Sequence, residues 1–238
     1  MAVALSILGA SGKMGKRILQ LAQKDPHFHM INLFSRADLS SDPVAPFASC
    51  DVAIDFTSHE ATRNHLEGAI LAKKALVLGT TGHSLEIKRA IEEAAKVIPI
   101  LFSPNFSLGI ALCLEAAARL GKTLFGSCTI DILETHHTSK KDRPSGTALA
   151  LAHAIGNGKG VMENTTTHPR RKDEIVIHSV RSGEVVGEHT LIFESEYERI
   201  ELKHTAHSRD AFAHGALMGA KFLAKQPPGL YSLKDLYR

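Results

Sequence analysis

Residues 134–147 hold the densest set of reactive side chains in the chain: Glu134-Thr135-His136-His137-Thr138-Ser139-Lys140-Lys141-Asp142-Arg143-Pro144-Ser145-Gly146-Thr147. Two adjacent imidazoles, His136 and His137, are the side-chain type best suited to proton transfer near neutral pH. Lys140 and Lys141 add ammonium groups. Ser145, Gly146 and Thr147 open the apolar stretch 148–155, which reads as a helix. A helix N-terminus presents N–H groups with no intrahelical acceptor and a partial positive charge, and so receives carboxylates. Imidazole, ammonium and amide donors together suit a small substrate with more than one carboxylate. The apolar run 129–133 reads as a strand, so the spacing predicts a strand-to-helix loop from Glu134 onward. Each residue also has a plain reading: Ser145 as a helix N-cap, the lysines as solvated surface.

Such a loop needs rigid elements on both sides. The 238 residues suit one large domain or two small ones. The N-terminal half alternates short apolar runs with helical periodicity. Runs at 3–8, 28–35, 51–57, 75–78 and 98–102 read as strands, and the stretches between them as helices. Thr57-Ser58-His59-Glu60 predicts a capping box for a helix over 61–73, and Ser84 a cap for one reaching Lys96. This alternation predicts a parallel sheet with helices on both faces, whose ligands bind at the carboxyl ends of the strands.

The first strand runs into Gly9-Ala10-Ser11-Gly12-Lys13-Met14-Gly15. A glycine-rich turn between strand and helix lets the backbone approach a pyrophosphate, so Gly9 through Met14 are expected to hold a dinucleotide. Gly79-Thr80-Thr81-Gly82 and Ser103-Pro104-Asn105-Phe106 begin loops at two further strand ends and are expected to line the same crevice. At the end of the second strand, where an NAD site usually carries an acidic residue, stand Ser35 and Arg36. Arginine can pair with a 2′-phosphate, which points to NADPH over NADH. The alternative keeps Arg36 as a solvated residue and gives the ribose to Asp38.

The second half has a different texture. Residues 174–181, 184–193 and 199–206 alternate apolar and polar positions, as in an open sheet with one buried face. With the strand at 129–133 they predict a sheet of about four strands. A helix over 209–225 is expected to return to the first domain. The expected architecture is α/β: a Rossmann-like parallel-sheet domain (1–106 and 209–238) plus an α+β substrate and oligomerisation domain with an open mixed sheet (107–208).

Composition narrows the alternatives. A net charge of +3 without long basic runs argues against nucleic acid. Cys50, Cys113 and Cys128 form neither a CxxC nor a zinc set, so no metal site is expected and a cytoplasmic location is favoured. The same cysteines lie outside every motif above, which weakens a thiol-dependent semialdehyde dehydrogenase. No stretch has the apolar length of a membrane span.

These motifs, together with Arg181-Ser182-Gly183-Glu184-Val185-Val186-Gly187-Glu188-His189-Thr190, resemble the 4-hydroxy-tetrahydrodipicolinate reductase (dihydrodipicolinate reductase) family over nearly the whole chain. The resemblance implies reduction of 4-hydroxy-tetrahydrodipicolinate to tetrahydrodipicolinate by NAD(P)H, in diaminopimelate and lysine biosynthesis. It implies His136 as proton donor or acceptor and Lys140 as a second proton donor. It places a substrate carboxylate on His137, Gly146 and Thr147, beside the Ser145 cap, and the 2′-phosphate on Arg36. A cytoplasmic homotetramer joined through the second domains is the expected assembly.

Overall fold

The computed structural model describes residues 2–35, 42–163 and 171–237. In chain order the first elements are β1 (Val3–Leu8), α1 (Lys13–Ala22), β2 (Phe28–Phe34), β3 (Val52–Asp55), α2 (Thr62–Ala72), β4 (Ala75–Leu78), α3 (Leu85–Ala95) and β5 (Pro99–Phe102). Then come α4 (Leu108–Leu124), β6 (Thr129–His136), α5 (Gly146–Gly156), β7 (Val161–Glu163), β8 (Ile175–Arg181), β9 (Gly187–Glu194) and β10 (Arg199–Ala206). The chain closes with α6 (Asp210–Leu223), β11 (Gly229–Tyr231) and a 3-10 turn, Leu233–Tyr237. It divides into two compact units: Met1–Leu108 with Arg209–Arg238, and Gly109–Ser208.

The first unit is a six-stranded sheet in the order β11-β5-β4-β3-β1-β2, with every pairing parallel. Every residue of β3 and β4 is buried. That is the condition of a parallel sheet covered on both faces, and it explains why these strands are continuous apolar runs. Leu8, Phe47, Leu66, Leu76, Leu78, Ile91 and Ile100 form one core. The C-terminal segment is tied to the N-terminal one by ion pairs. Arg17 grips Asp210 through two nitrogens at 2.5 and 2.6 Å, and Lys221 Nζ lies 2.7 Å from Asp25. The strand β11 was not expected: three residues after Pro227-Pro228 are too short to show a period, yet they extend the sheet beside β5.

The Ser84 cap is present, its hydroxyl accepting the Ile87 N–H at 3.3 Å. The capping box at 57–60 is not. The helix α2 starts at Thr62 behind Ala61, with no side-chain cap. Thr57 turns the other way, donating its N–H and hydroxyl to Asp55 Oδ1 at 2.8 and 2.6 Å. A buried carboxylate at the strand end outcompetes the helix end for that hydroxyl.

The second unit holds a five-stranded mixed sheet, β10-β9-β6-β8-β7. The strands β6, β7 and β8 run parallel, while β9 and β10 are antiparallel additions. The fifth strand, β7, escaped the sequence reading because it too has only three residues. Alternation is strict in β9, where Gly187, His189, Leu191 and Phe193 are buried and their neighbours partly exposed. The helix α5 buries Ala148, Leu151, Ala152 and Ile155, an i, i+3, i+4, i+7 stripe. These side chains pack with Ile130, Ile132, Ile175, Ile177, Leu191 and Phe193 of the sheet into the second core. Among the described residues no helix is long and apolar enough to cross a membrane.

Candidate active site

The apolar face of the second sheet changes character at one end. On β6 the inward positions run Ile130, Ile132, Glu134, His136: two for the core, then two ionisable groups. The flanking strands do the same, with Ile175 and Ile177 followed by Arg181 on β8, and Phe193 and Leu191 preceded by His189 on β9. Strand alternation therefore brings Glu134, His136, Arg181 and His189 to one place. It also corrects the expected loop. Residues 134–136 belong to β6, which pairs with β8 as far as His136 and with β9 as far as Thr135, so both leading side chains stand on a rigid strand.

Glu134 is fully buried and takes the Arg181 guanidinium as a two-pronged partner, Nη1 to Oε2 and Nη2 to Oε1, each at 2.9 Å. Such planar, bidentate pairs are the strong kind. His136 Nδ1 lies 2.5 Å from Oε2, and the Ser145 N–H donates to Oε1 at 3.3 Å. Burial alone would raise the Glu134 pKa, but hydrogen bonds from Arg181, Ser179 and His136 outweigh it and hold the carboxyl below its ordinary value. An ionised Glu134 needs a proton on His136 Nδ1, leaving Nε2 as the working nitrogen. Burial pushes the His136 pKa down, against the upward pull of Glu134. Burial thus favours the neutral ring, whose lone pair lies on Nε2 when Nδ1 carries the proton. Gly187 keeps that nitrogen uncrowded, since a Cβ there would stand 3.1 Å from it.

The loop beyond β6 carries the remaining residues. The Thr138 N–H donates to Gly183 O at 3.1 Å, pinning the loop to the β8–β9 turn. Half-buried His137 shares a 2.8 Å hydrogen bond with Ser139 Oγ. Lys140 Nζ pairs with Asp142 at 2.8 Å and lies close enough to depress the His136 pKa further. Ser145 caps α5, its Oγ accepting the Ala148 N–H at 3.1 Å, so Gly146 and Thr147 form the first turn of the helix. The structure thus gathers His136, His137, Lys140 and Ser145–Thr147 around the end of one sheet. Glu134, Arg181 and His189 are not among the site residues expected from the sequence, although β-strand alternation from His136 is signal enough for Glu134.

Glu134, His136 and His189 each place a ligand atom within 4.8 Å of the others, a spacing open to a metal ion. Here Arg181 already supplies the positive charge, with its side chain 2% exposed and both Glu134 oxygens engaged. A cation would have to displace it.

In the first unit the described residues among those predicted to hold the cofactor follow the carboxyl ends of β1, β4 and β5. Gly9 follows β1 with φ +85, a left-handed backbone suited to glycine. A Cβ on Gly15 would fall 2.1 Å from Gly9 O, so the helix packs against the turn as closely as backbone allows. The N-cap Gly12 gives α1 no side-chain cap, and the first turn holds no acidic residue. These amides fit a pyrophosphate. Beside them a cavity of about 240 Å³ is lined by Gly9, Ser11, Gly12, Ser35, Phe56, Thr57 and His65. Ala10, Lys13 and Met14 complete the turn and the start of α1. Gly79, Thr80 and Thr81 follow β4, and Ser103, Pro104, Asn105 and Phe106 follow β5. Phe56, not among the expected cofactor residues, joins these loops. Its ring packs 5.4 Å from that of Phe106 and lies 2.3 Å from where a Cβ on Gly79 would be. Asp55 works beneath it, accepting from Thr57 and facing His65 Nδ1 at 2.8 Å. Arg36 and Asp38 lie outside the described residues.

Cys50, Cys113 and Cys128 are buried free thiols whose pKa values burial raises, the opposite of an activated nucleophile.

Comparison with known proteins gives one answer along the chain. Residues 3–106 match the family model "Dihydrodipicolinate reductase, N-terminus", and residues 109–237 match "Dihydrodipicolinate reductase, C-terminus". A 4-hydroxy-tetrahydrodipicolinate reductase of Caldanaerobacter subterraneus subsp. tengcongensis is 42% identical over 250 residues, covering 100% of this chain and 99% of that one. Among solved structures, a dipicolinate-bound dihydrodipicolinate reductase from Paenisporosarcina sp. TG-14 superposes with a TM-score of 0.81 at 21% identity, over 98% of each chain. An engineered D-amino acid dehydrogenase bound to NADP+ shares the fold at a TM-score of 0.55 and 12% identity, over 98% of this chain and 93% of that one. The chain belongs to the dihydrodipicolinate reductase family of oxidoreductases.

Proposed function

We propose that this protein reduces 4-hydroxy-tetrahydrodipicolinate to tetrahydrodipicolinate with a nicotinamide dinucleotide, in the diaminopimelate route to lysine. The observation that carries the reading is the Glu134–His136 pair beside the N-terminus of α5: a neutral imidazole with one nitrogen anchored, next to a carboxylate-binding helix end. When bound, the reduced nicotinamide supplies hydride to C4 of the ring. The C4 hydroxyl leaves as water and takes up one proton. His136 Nε2 accepts and returns a proton during the loss of water, and Lys140 donates one. His137, Ser145, Gly146 and Thr147 hold a substrate carboxylate, fixing the ring against these two groups.

The first unit binds the dinucleotide in this reading. Gly9 through Met14 take the pyrophosphate, and Gly79–Thr81 with Ser103–Phe106 take the nicotinamide end. Arg36 meets a 2′-phosphate and favours NADPH. Exposed Leu133 and Val180, on the outer face of the adjacent strands β6 and β8, support assembly into a tetramer through the second sheet. Three buried free thiols support a cytoplasmic location.

The test is steady-state oxidation of NADPH and of NADH, with substrate generated in place by the preceding synthase. Turnover with a preference for NADPH that Arg36→Ala removes is the expected result. Binding of both nucleotides without oxidation of either would sink the reading.

A further inference from the structure

His189 takes part in no step above, yet it sits inside the network. It stands on β9 directly opposite Glu134 and is 3% exposed. Its ring meets that of His136 edge-on, with centroids 5.2 Å apart. Nε2 lies 3.2 Å from Ser145 Oγ, while Nδ1 is buried with no hydrogen-bond partner among the described residues. Folding alone does not ask for this. An apolar side chain would fill the place without the cost of an unpaired buried nitrogen.

The hydrogen bonds decide where the protons are. A serine hydroxyl has one donor and two acceptor sites. One acceptor site of Ser145 is used by the Ala148 N–H. If the hydroxyl donated to Nε2, the imidazole proton would sit on Nδ1 as a buried N–H with nothing to receive it. If Nε2–H donates to the hydroxyl, Nδ1 keeps only an unused lone pair, the smaller penalty, since buried orphan N–H groups are the rarer case. In that second arrangement both acceptor sites of Ser145 are filled. Its own proton must then point away from Ala148 and from His189.

We propose that His189 is a positioning residue: by donating to Ser145 it fixes the serine hydroxyl as a donor aimed at a carboxylate oxygen of the substrate. Burial keeps the ring neutral, its pKa pushed down to about 3, so this donor does not change with ordinary changes of pH. The inference rests on the helix end being the carboxylate site.

The experiment measures dipicolinate affinity by calorimetry, and KM and kcat for the substrate, on the full-length chain. A lost hydrogen bond to a charged group corresponds to roughly 10- to 100-fold in affinity. His189→Leu and Ser145→Ala are each expected to weaken dipicolinate by that amount. The double variant should lose no more than either single one, because the two act through one proton. His189→Gln, whose amide nitrogen mimics Nε2, is expected to restore binding; His189→Asn, which mimics Nδ1, is not. In His189→Leu, KM rises while kcat and its pH profile stay as in the wild type. Wild-type affinity in His189→Leu, or losses that multiply in the double variant, would overturn the proposal. If the leucine variant does not fold, equal affinities for the Asn and Gln variants would overturn it instead. A wild-type chain that fails to bind dipicolinate, or whose binding ignores Thr147→Ala, overturns the reading of the helix end and this proposal with it.

Discussion

The two sheets present chemistry in different ways. In the parallel sheet every residue of β3 and β4 is buried, so these two central strands hold their side chains in the core. What it offers comes from the strand ends: glycine backbone, helix amides and loop hydroxyls. In the mixed sheet one face is half apolar core and half polar network, and the reactive groups are side chains at alternate strand positions. The first arrangement suits a large cofactor met by backbone, the second a small substrate met by acids and bases. Substitutions should separate the two, with side-chain changes in the second unit costing chemistry and backbone changes in the first costing nucleotide affinity.

The largest expected effect is at the proton carriers. His136→Ala and Lys140→Ala should each lower kcat by roughly 100- to 10,000-fold, the range for lost general acid–base catalysis. Rates at saturating nucleotide test this, and a loss confined to the KM for NADPH would blur the division.

Next comes Glu134→Gln. It strands the Arg181 guanidinium, whose side chain is 2% exposed, and removing one member of a buried pair costs about 3–5 kcal/mol. Urea unfolding should show this loss, and Glu134→Gln with Arg181→Met should recover part of it.

Acid should destabilise the second unit in two stages. The His189 pKa falls from its ordinary 6.5 to about 3, so below pH 6.5 the unfolded chain takes up a proton that the native one refuses. Stability is then lost as the pH drops from 6.5 towards 3, by a few kcal/mol in all. The Glu134 pKa is lowered from 4.5, so its contribution is present above pH 4.5 and goes as the pH falls through the native value. Melting temperatures of His189→Gln should show a shallower slope between pH 6.5 and 4.5 than the wild type.

The smallest effect on folding should come from the turn after β1. Gly15→Ala puts a Cβ 2.1 Å from Gly9 O. Overpacking of this kind costs about 1–3 kcal/mol, and here it shifts the amides that meet the pyrophosphate. Fluorescence titration should show weakened NADPH binding while dipicolinate binding is unchanged.

The same contrast explains what the sequence made legible. The alternation of strands and helices in the first half, the glycine turn and the Ser84 and Ser145 caps are local signals, and each appears in the structure. The strands β7 and β11 are three residues long and exist only through their neighbours, so no period marks them. The capping box failed because Asp55, two residues before Thr57, captured its hydroxyl. The expected loop overlooks that β8 pairs with β6 as far as His136 and β9 as far as Thr135, a pairing across 45 residues in the case of His136 and Arg181. Arg181 and His189 gain their meaning from that register alone, and no spacing along the chain announces it.

The most direct test of the division is NADPH binding and turnover measured together on His136→Ala/Lys140→Ala. The account predicts that NADPH binds this variant as it binds the wild type, while reduction of 4-hydroxy-tetrahydrodipicolinate is lost. Turnover near the wild-type rate, or loss of NADPH binding in a folded variant, would contradict it.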